Sequence, residues 1–273
     1  HHVFEHQVNK TPEAVAIRWN NQSINYQTLN KKSNQLAHYL IEKGIKRGDH
    51  VGICLGRSFD MIIAVLAAIK TGACYLPMDI TYPEQRLKYM LEEVNAPILL
   101  TESVMQSLFL SDDVTFDTSK VFLVDQQWSS LSNYSIENPD AETHQDDPFY
   151  TIFTSGSTGR PKGASVSHLC EINMLDWYTK TTYPMSVDEK VLIMSAFGFD
   201  LTQKSIFAPL TSGATLVLPE FNEYEPRKLT QLIQKEQVTW TTCTPSALNP
   251  LVKTQITGMS WKACDMSFLV ESH

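Results

Sequence analysis

Residues 149–168 read FYTIFTSGSTGRPKGASVSH, and the fold of the chain is read outward from them. Phe149, Tyr150, Ile152 and Phe153 are apolar and β-favouring, which predicts a short buried strand. Of the ten residues that follow, Thr154–Gly163, nine are Gly, Ser, Thr, Arg or Lys and the tenth is Pro161. Strand character returns at Ala164–Val166. Gly156, Gly159 and Gly163 let such a loop turn tightly and present bare backbone N–H groups to an anion. Thr154, Ser155, Ser157 and Thr158 add hydroxyl donors, and Lys162 adds a positive charge. The composition alone would suit a flexible surface loop. A lysine and three glycines held between two buried strands point instead to a phosphate cradle. It is not the Walker loop, in which Gly-Lys-Ser/Thr opens a helix: Gly163 follows Lys162, and Pro161 with the returning strand disfavours a helix there. A stand-alone P-loop NTPase is therefore disfavoured.

On the N-terminal side, strands and helices alternate. Ala14–Trp19 reads as a strand ending at an Asn20-Asn21 turn, and Thr28–Lys43 as an amphipathic helix stopped by Gly44. Val51–Leu55 is a strand, Phe59–Lys70 a buried helix closed by Gly72, and Ala73–Met78 the next strand. Thr81 and Glu84 have capping-box spacing around Pro83. The helix expected after them carries Leu87, Met90, Leu91 and Val94 on one face, before strand Ile98–Leu100. Between Val121 and Gly159 there are six carboxylates and no Lys or Arg, so Asp125–Asp147 reads as a solvated connector. After the loop, Ser167 caps a helix through Tyr178. Strands follow at Val191–Met194, Ala214–Leu218 and Thr239–Cys243. Helices are expected over Asp200–Leu210, around Leu229, Leu232 and Ile233, and from Ser246. This alternation predicts an α/β protein with parallel-rich sheets flanked by helices and right-handed crossovers.

Composition bounds the function. The chain has 273 residues, 42% hydrophobic and 19% charged, as in ordinary globular domains. A net charge of −8 disfavours nucleic acid and anionic membranes as partners. Five scattered cysteines without CxxC spacing argue against a disulfide framework or zinc site and imply a reducing, cytoplasmic setting. The longest apolar run, Met61–Ile69, is far too short to span a membrane. The chain opens on His1 rather than Met, which implies a portion of a longer polypeptide.

TSGSTGRPKG (Thr154–Gly163) resembles the signature loop of the adenylate-forming enzymes, the superfamily of acyl-CoA synthetases, luciferases and peptide-synthetase adenylation domains. Other stretches narrow the resemblance to the adenylation domains of nonribosomal peptide synthetases. VFEHQVNKTPEAVAI (Val3–Ile17) is similar to their opening residues. INYQTLNKKSNQLAHYLIEKGIKRGDHVGI (Ile24–Ile53) is similar to the first core motif, and IKTGACYLPMDITYPEQRL (Ile69–Leu87) to the second. FGFDLTQKSIF (Phe197–Phe207) resembles the segment with the amino-acid-recognising aspartate, here Asp200. The likeness runs from Val3 to about Leu251. Acyl-CoA synthetases share the loop but usually neither the YLPMDITYP block nor the Phe-Asp pair, which favours amino acid over fatty acid as substrate.

The resemblance implies attack of an amino-acid carboxylate on the α-phosphate of ATP, giving acyl-adenylate and pyrophosphate. Thr154, Ser155, Gly156, Ser157, Thr158, Gly159 and Lys162 would grip the phosphates. Asp200, Leu201 and Lys204 fall on the first three pocket-lining positions, with Thr242 or Cys243 near the fourth and Phe199 as a wall. An ammonium entering a pocket needs a carboxylate partner, which suits Asp200, although Asp also commonly caps helices. Lys204, four residues on, shares a helical face with Asp200. It would complement a carboxylate or amide side chain, or else pair with Asp200 or reach solvent. His168 matches a position where the family commonly has His but is equally a structural residue, and Phe197 and Phe199 suit core or pocket wall. The adenine, ribose and magnesium motifs of the family and its catalytic lysine have no match, so residues 1–273 are expected to be the N-terminal part of the large subdomain. The cofactors implied are ATP, Mg2+ and the phosphopantetheine of a partner carrier domain. The partners implied are an amino acid, the rest of the adenylation domain and that carrier. The competing expectation is a catalytically incompetent fragment that binds only nucleotide or a partner.

Overall fold

Capping and turn residues set most element boundaries. The computed structural model describes residues 1–109, 117–154, 160–182 and 184–253. Helix α1 (His2–Lys10) buries Phe4 and Val8 and leads to strand β1 (Val15–Trp19). Asn20 and Asn21 follow with φ of 48° and 58°, a region that Asn tolerates. They fold β2 (Gln22–Asn25) back antiparallel on β1. The sequence reading stopped at the turn, because Gln-Ser-Ile-Asn carries little strand propensity of its own and the pairing supplies what it lacks. Helix α2 (Tyr26–Glu42) starts two residues earlier than expected, because the Asn25 side chain accepts the Thr28 N–H at 2.8 Å.

Strand β3 (His50–Cys54) precedes α3 (Phe59–Lys70), capped by Ser58 and buried on every side. Strand β4 (Cys74–Pro77), helix α4 (Glu84–Glu93) and strand β5 (Ile98–Thr101) follow. The expected capping box does not form: Pro83 is the N-cap, and the Thr81 hydroxyl donates to Asp79 Oδ1 at 2.6 Å, a nearer acceptor than the helix end. Short helix α5 (Gln106–Phe109), strand β6 (Val121–Leu123) and helix α6 (Val124–Gln127) come next. Strand β6, only three residues long, is not predicted by the sequence pattern. The expected solvated connector is mostly exposed, and it runs as a strap across α2 and α3. Trp128 Nε1 donates to Asp60 Oδ1 (2.6 Å), Asn34 Nδ2 donates to the Ile136 carbonyl (2.7 Å), and Leu131 is buried.

Strands β7 (Pro148–Thr154) and β8 (Lys162–Ser167) flank the loop as an antiparallel pair. Ser167 caps α7 (His168–Asp176), which continues as a wider turn over Trp177–Thr182. Strand β9 (Lys190–Ile193), helix α8 (Asp200–Ser212), strand β10 (Thr215–Val217), helix α9 (Pro226–Glu236), strand β11 (Trp240–Thr242) and helix α10 (Pro245–Lys253) complete the described chain.

The strands form two sheets, ordered β11-β9-β10-β1-β2 and β6-β5-β3-β4-β7-β8, parallel except for the β1–β2 and β7–β8 pairs. One core joins Ile17, Ile193 and Leu216 of the first sheet to Val51, Ile53 and Tyr75 of the second, through Leu36, Ile62 and Phe207 of α2, α3 and α8. Helix α4 covers the outer face of the second sheet with Leu87, Met90 and Leu91. Helices α9 and α10 cover the first with Leu229, Ile233 and Leu251. The result is five layers, helix–sheet–helix–sheet–helix, with α8 between the sheets.

Candidate functional site

The hairpin β7–β8 and the start of α8 face each other across a cleft of about 630 Å3. Ile152, Thr154 and Ala164 line it from the hairpin, Arg86 from α4, and Phe199 and Asp200 from α8 and the turn before it. Thr154 is the register partner of Lys162, so both sit at the end of the hairpin from which the loop springs, and both are exposed. Ser155, Gly156, Ser157, Thr158 and Gly159 lie outside the described residues. The far side of the loop is pinned by Tyr89, whose hydroxyl donates to the Pro161 carbonyl at 3.1 Å. Gly163 sits close against its neighbour: a Cβ would come within 3.1 Å of Thr151 Cγ2 across the hairpin, so a side chain there would make Thr151 give way.

Arg86 contributes a cation that no sequence motif singled out. Its guanidinium lies 3.9 Å from the Tyr82 ring centroid and donates to the Phe153 carbonyl at 3.4 Å, while Nε has no hydrogen-bond partner. The cleft thus holds a fixed positive charge beside the loop, with Asp200 on the opposite wall.

The position of Asp200 depends on residues far away in sequence. Phe197–Phe199 is a tight turn whose polar backbone is satisfied from both sides. Asp79 Oδ2 accepts the Phe197 N–H (2.9 Å), and Gln203 Nε2 donates to the carbonyls of Phe197 (2.7 Å) and Phe199 (3.1 Å). Gln203 Oε1 accepts the Tyr75 hydroxyl. Asp79 is legible only as part of the YLPMDITYP block, and Gln203 and Tyr75 carry no signal by themselves. Asp200 is not the helix cap: Phe199 holds that position, and Asp200 is the first helical residue, with Oδ1 accepting the Leu201 N–H at 2.7 Å. Its carboxylate is exposed and complements the positive end of the helix. Phe197 is buried core, whereas Phe199 is exposed and forms part of the cleft wall.

Lys204 does not pair directly with Asp200. Its ammonium lies 4.1 Å from the ring centroid of Tyr178, and burial lowers its pKa against the opposing pull of Asp200 and Glu171. Tyr178 in turn meets Trp240 of β11 at 5.3 Å, and α8 packs on β11. Thr242, at the end of β11, keeps a buried hydroxyl with no partner. Leu201 and Cys243 are half-buried. These four residues lie outside the cleft lining. His168 is not brought to the loop either. It packs against Phe149 (4.9 Å), lines a separate cavity, and burial pushes its pKa down to about 4.

Comparison with known proteins gives a consistent picture. A family model described as AMP-binding enzyme matches residues 4–269. Gramicidin S synthase 2 of Brevibacillus brevis is 37% identical over 253 residues, covering 92% of this chain and 5% of that protein. Tyrocidine synthase 1 of Brevibacillus parabrevis is 31% identical over 260 residues, 95% of this chain and 23% of that protein. The crystal structure of the nonribosomal peptide synthetase FmoA3 in its α-methyl-L-serine-AMP bound form matches with a TM-score of 0.83 and 28% identity, over 92% of this chain and 27% of that one. The chain therefore spans about a quarter or less of the length of these relatives. No helix among the described residues is long and apolar enough to cross a membrane.

Proposed function

Since the chain belongs to the AMP-binding enzyme family, we propose that it supplies the phosphate grip and part of the amino-acid pocket of an adenylating enzyme for nonribosomal peptide synthesis. The observation that carries this reading is the single cleft in which the loop-bearing hairpin faces Asp200. In the reaction a carboxylate oxygen of the amino acid attacks the α-phosphorus of ATP, and the bond to the β-phosphate breaks, releasing pyrophosphate. Two anions must meet, so fixed cations have to offset their repulsion. Lys162 and Arg86 are among the cations this chain offers there, with Arg160 two residues before Lys162. Asp200 takes the α-ammonium and orients the carboxylate away from itself. Thr154 and the loop residues through Gly159 would hold the β- and γ-phosphates, and Leu201, Lys204, Thr242 and Cys243 would meet the side chain. Phe199 would wall the cleft.

ATP suits this cleft, whose wall holds the Arg86 guanidinium, with Lys162 at the end of the hairpin opposite the cleft-lining Thr154. Among the described residues no three His, Cys, Asp or Glu side chains converge as metal ligands. Nucleotide-bound magnesium is commonly held by phosphate oxygens and water with few protein ligands. The activated amino acid would pass to the phosphopantetheine of a neighbouring carrier domain, in the cytoplasm. Amino-acid-dependent ATP–pyrophosphate exchange by the full-length protein tests the reading. Exchange with one or a few of the twenty amino acids supports it. Exchange driven only by fatty acids, or none with any acid, overturns it.

A further inference from the structure

Tyr82 lies between β4 and α4 and lines the cleft with Arg86, Gly198, Phe199 and Asp200. One carboxylate fixes the segments on both sides of it. Asp79 Oδ1 accepts the Thr81 N–H at 3.0 Å, and Oδ2 accepts the Phe197 N–H at 2.9 Å. The Tyr82 N–H closes the same turn on the Asp79 carbonyl at 3.0 Å. The backbone that carries Tyr82 and the turn that leads to Asp200 are thereby tied to each other.

The Tyr82 side chain touches both walls. Its ring centroid stands 3.9 Å from the Arg86 guanidinium, a cation–π contact. Its hydroxyl end lies against Gly198: a Cβ at that position would run into the hydroxyl oxygen and come within 3.1 Å of Cζ. Gly198 is not in the left-handed region of backbone space. The tyrosine, and not the φ angle, therefore leaves no room for alanine there. Burial raises the Tyr82 pKa, with Arg86 opposing and Asp79 adding, so the ring stays a neutral phenol at physiological pH. A phenol ring is rigid and turns on two torsions only. Whatever displaces it at Gly198 also displaces it from Arg86.

We propose that Tyr82 is a positioning residue that holds the Arg86 guanidinium and the turn before Asp200 at a fixed separation, an inference that rests on the cleft being the adenylation site. In that reading Arg86 meets phosphate and Asp200 meets the ammonium. Tyr82 then sets how far apart the two substrates are anchored. The carboxylate oxygen and the α-phosphorus react only at close approach, and small errors in their offset slow the step. Glycine at position 198 is thus a requirement of the ATP side, although it belongs to the amino-acid wall.

The test is a two-residue cycle in the full-length protein. ATP–pyrophosphate exchange is measured against ATP at a saturating level of whichever of the twenty amino acids drives it best. Gly198→Ala should raise KM for ATP about 3- to 30-fold, the range spanned by losing a cation–π contact. A Tyr82→Phe background keeps the ring and removes the oxygen in the way. There the same substitution should change KM for ATP by less than about 2-fold. A merely structural role would lower the thermal midpoint in both backgrounds without this rescue. Equal effects in the two backgrounds, or a wild-type KM for ATP in Gly198→Ala, overturn the proposal. If Gly198→Ala does not fold, Tyr82→Leu decides, because it deletes the ring beside Arg86: a raised KM for ATP supports the proposal and an unchanged one overturns it. Asp200→Asn separates the two readings. If it raises the amino-acid KM while the two backgrounds respond equally, only the role of Tyr82 falls. If both it and Gly198→Ala leave exchange as in wild type, the reading of the cleft falls as well.

Discussion

The hydroxyl of Tyr75 donates to Gln203 Oε1 over 2.7 Å, joining a central strand of the six-stranded sheet to the helix that carries Asp200. Tyr75 is wholly buried, and Gln203 uses its other end to hold the carbonyls of Phe197 and Phe199. The turn before Asp200 is thereby referenced to the same sheet from which the phosphate loop springs. Two halves of one cleft are kept in register by the Gln203 amide together with Asp79, which accepts the Phe197 N–H.

Tyr75→Phe removes the donor and leaves Gln203 Oε1 buried without a partner, at a cost of about 1–3 kcal/mol. The expected result is a lower thermal midpoint and a several-fold higher KM for the amino acid, with KM for ATP unchanged. Titrating each substrate separately in the exchange assay checks the split.

Lys162→Ala should leave the fold intact, because Lys162 is exposed at the end of β8. A charge-assisted contact to phosphate contributes roughly 1.5–3 kcal/mol, so kcat/KM for ATP is expected to fall about 10- to 100-fold. Unchanged exchange would remove Lys162 from the site.

Asp200→Asn keeps the size of the side chain and its bond to the Leu201 N–H while deleting the charge. Loss of the ammonium's counter-ion is expected to raise the amino-acid KM by 10-fold or more, again about 1.5–3 kcal/mol. A variant that activates an amino acid as well as wild type would assign Asp200 to the helix end alone.

The buried Glu171 also gives a stability signature. Its folded pKa of about 7 lies above the ordinary 4.5, so between those values the folded state keeps a proton that the unfolded chain releases. Stability is therefore fullest below about pH 4.5 on this account and declines as pH rises to about 7, by on the order of 3 kcal/mol. Urea midpoints measured from pH 5 to 8 should show the decline in wild type and a flatter profile in Glu171→Gln.

Much of the chain was legible because its information is local. Gly44, Gly72, Ser167 and the Asn20-Asn21 turn mark boundaries through their own backbone and side-chain preferences. Apolar spacing gave α3 and α4 their buried faces. The TSGSTGRPKG loop and the Phe-Asp pair were legible for the same reason, since each packs its chemistry into a few consecutive residues. Where local preference is weak, reading by residue failed. Strand β2 exists because β1 lies beside it, and Thr81 turns to Asp79 instead of the helix end.

By itself the sequence determined the α/β alternation, the Gly/Ser/Thr-rich stretch between two strands and the aspartate that opens α8. Only the tertiary structure decided that the strands divide into two sheets, with the first assembled from β1 and β2 and from β9, β10 and β11. It also decided that Tyr75 meets Gln203 across 128 positions, that Arg86 stands in the cleft, and that Glu171 is buried. The physical reason is common to all of these. Burial and charge coupling depend on distance in space, and a helix sandwiched between two sheets brings together groups whose separation along the chain carries no trace of the meeting.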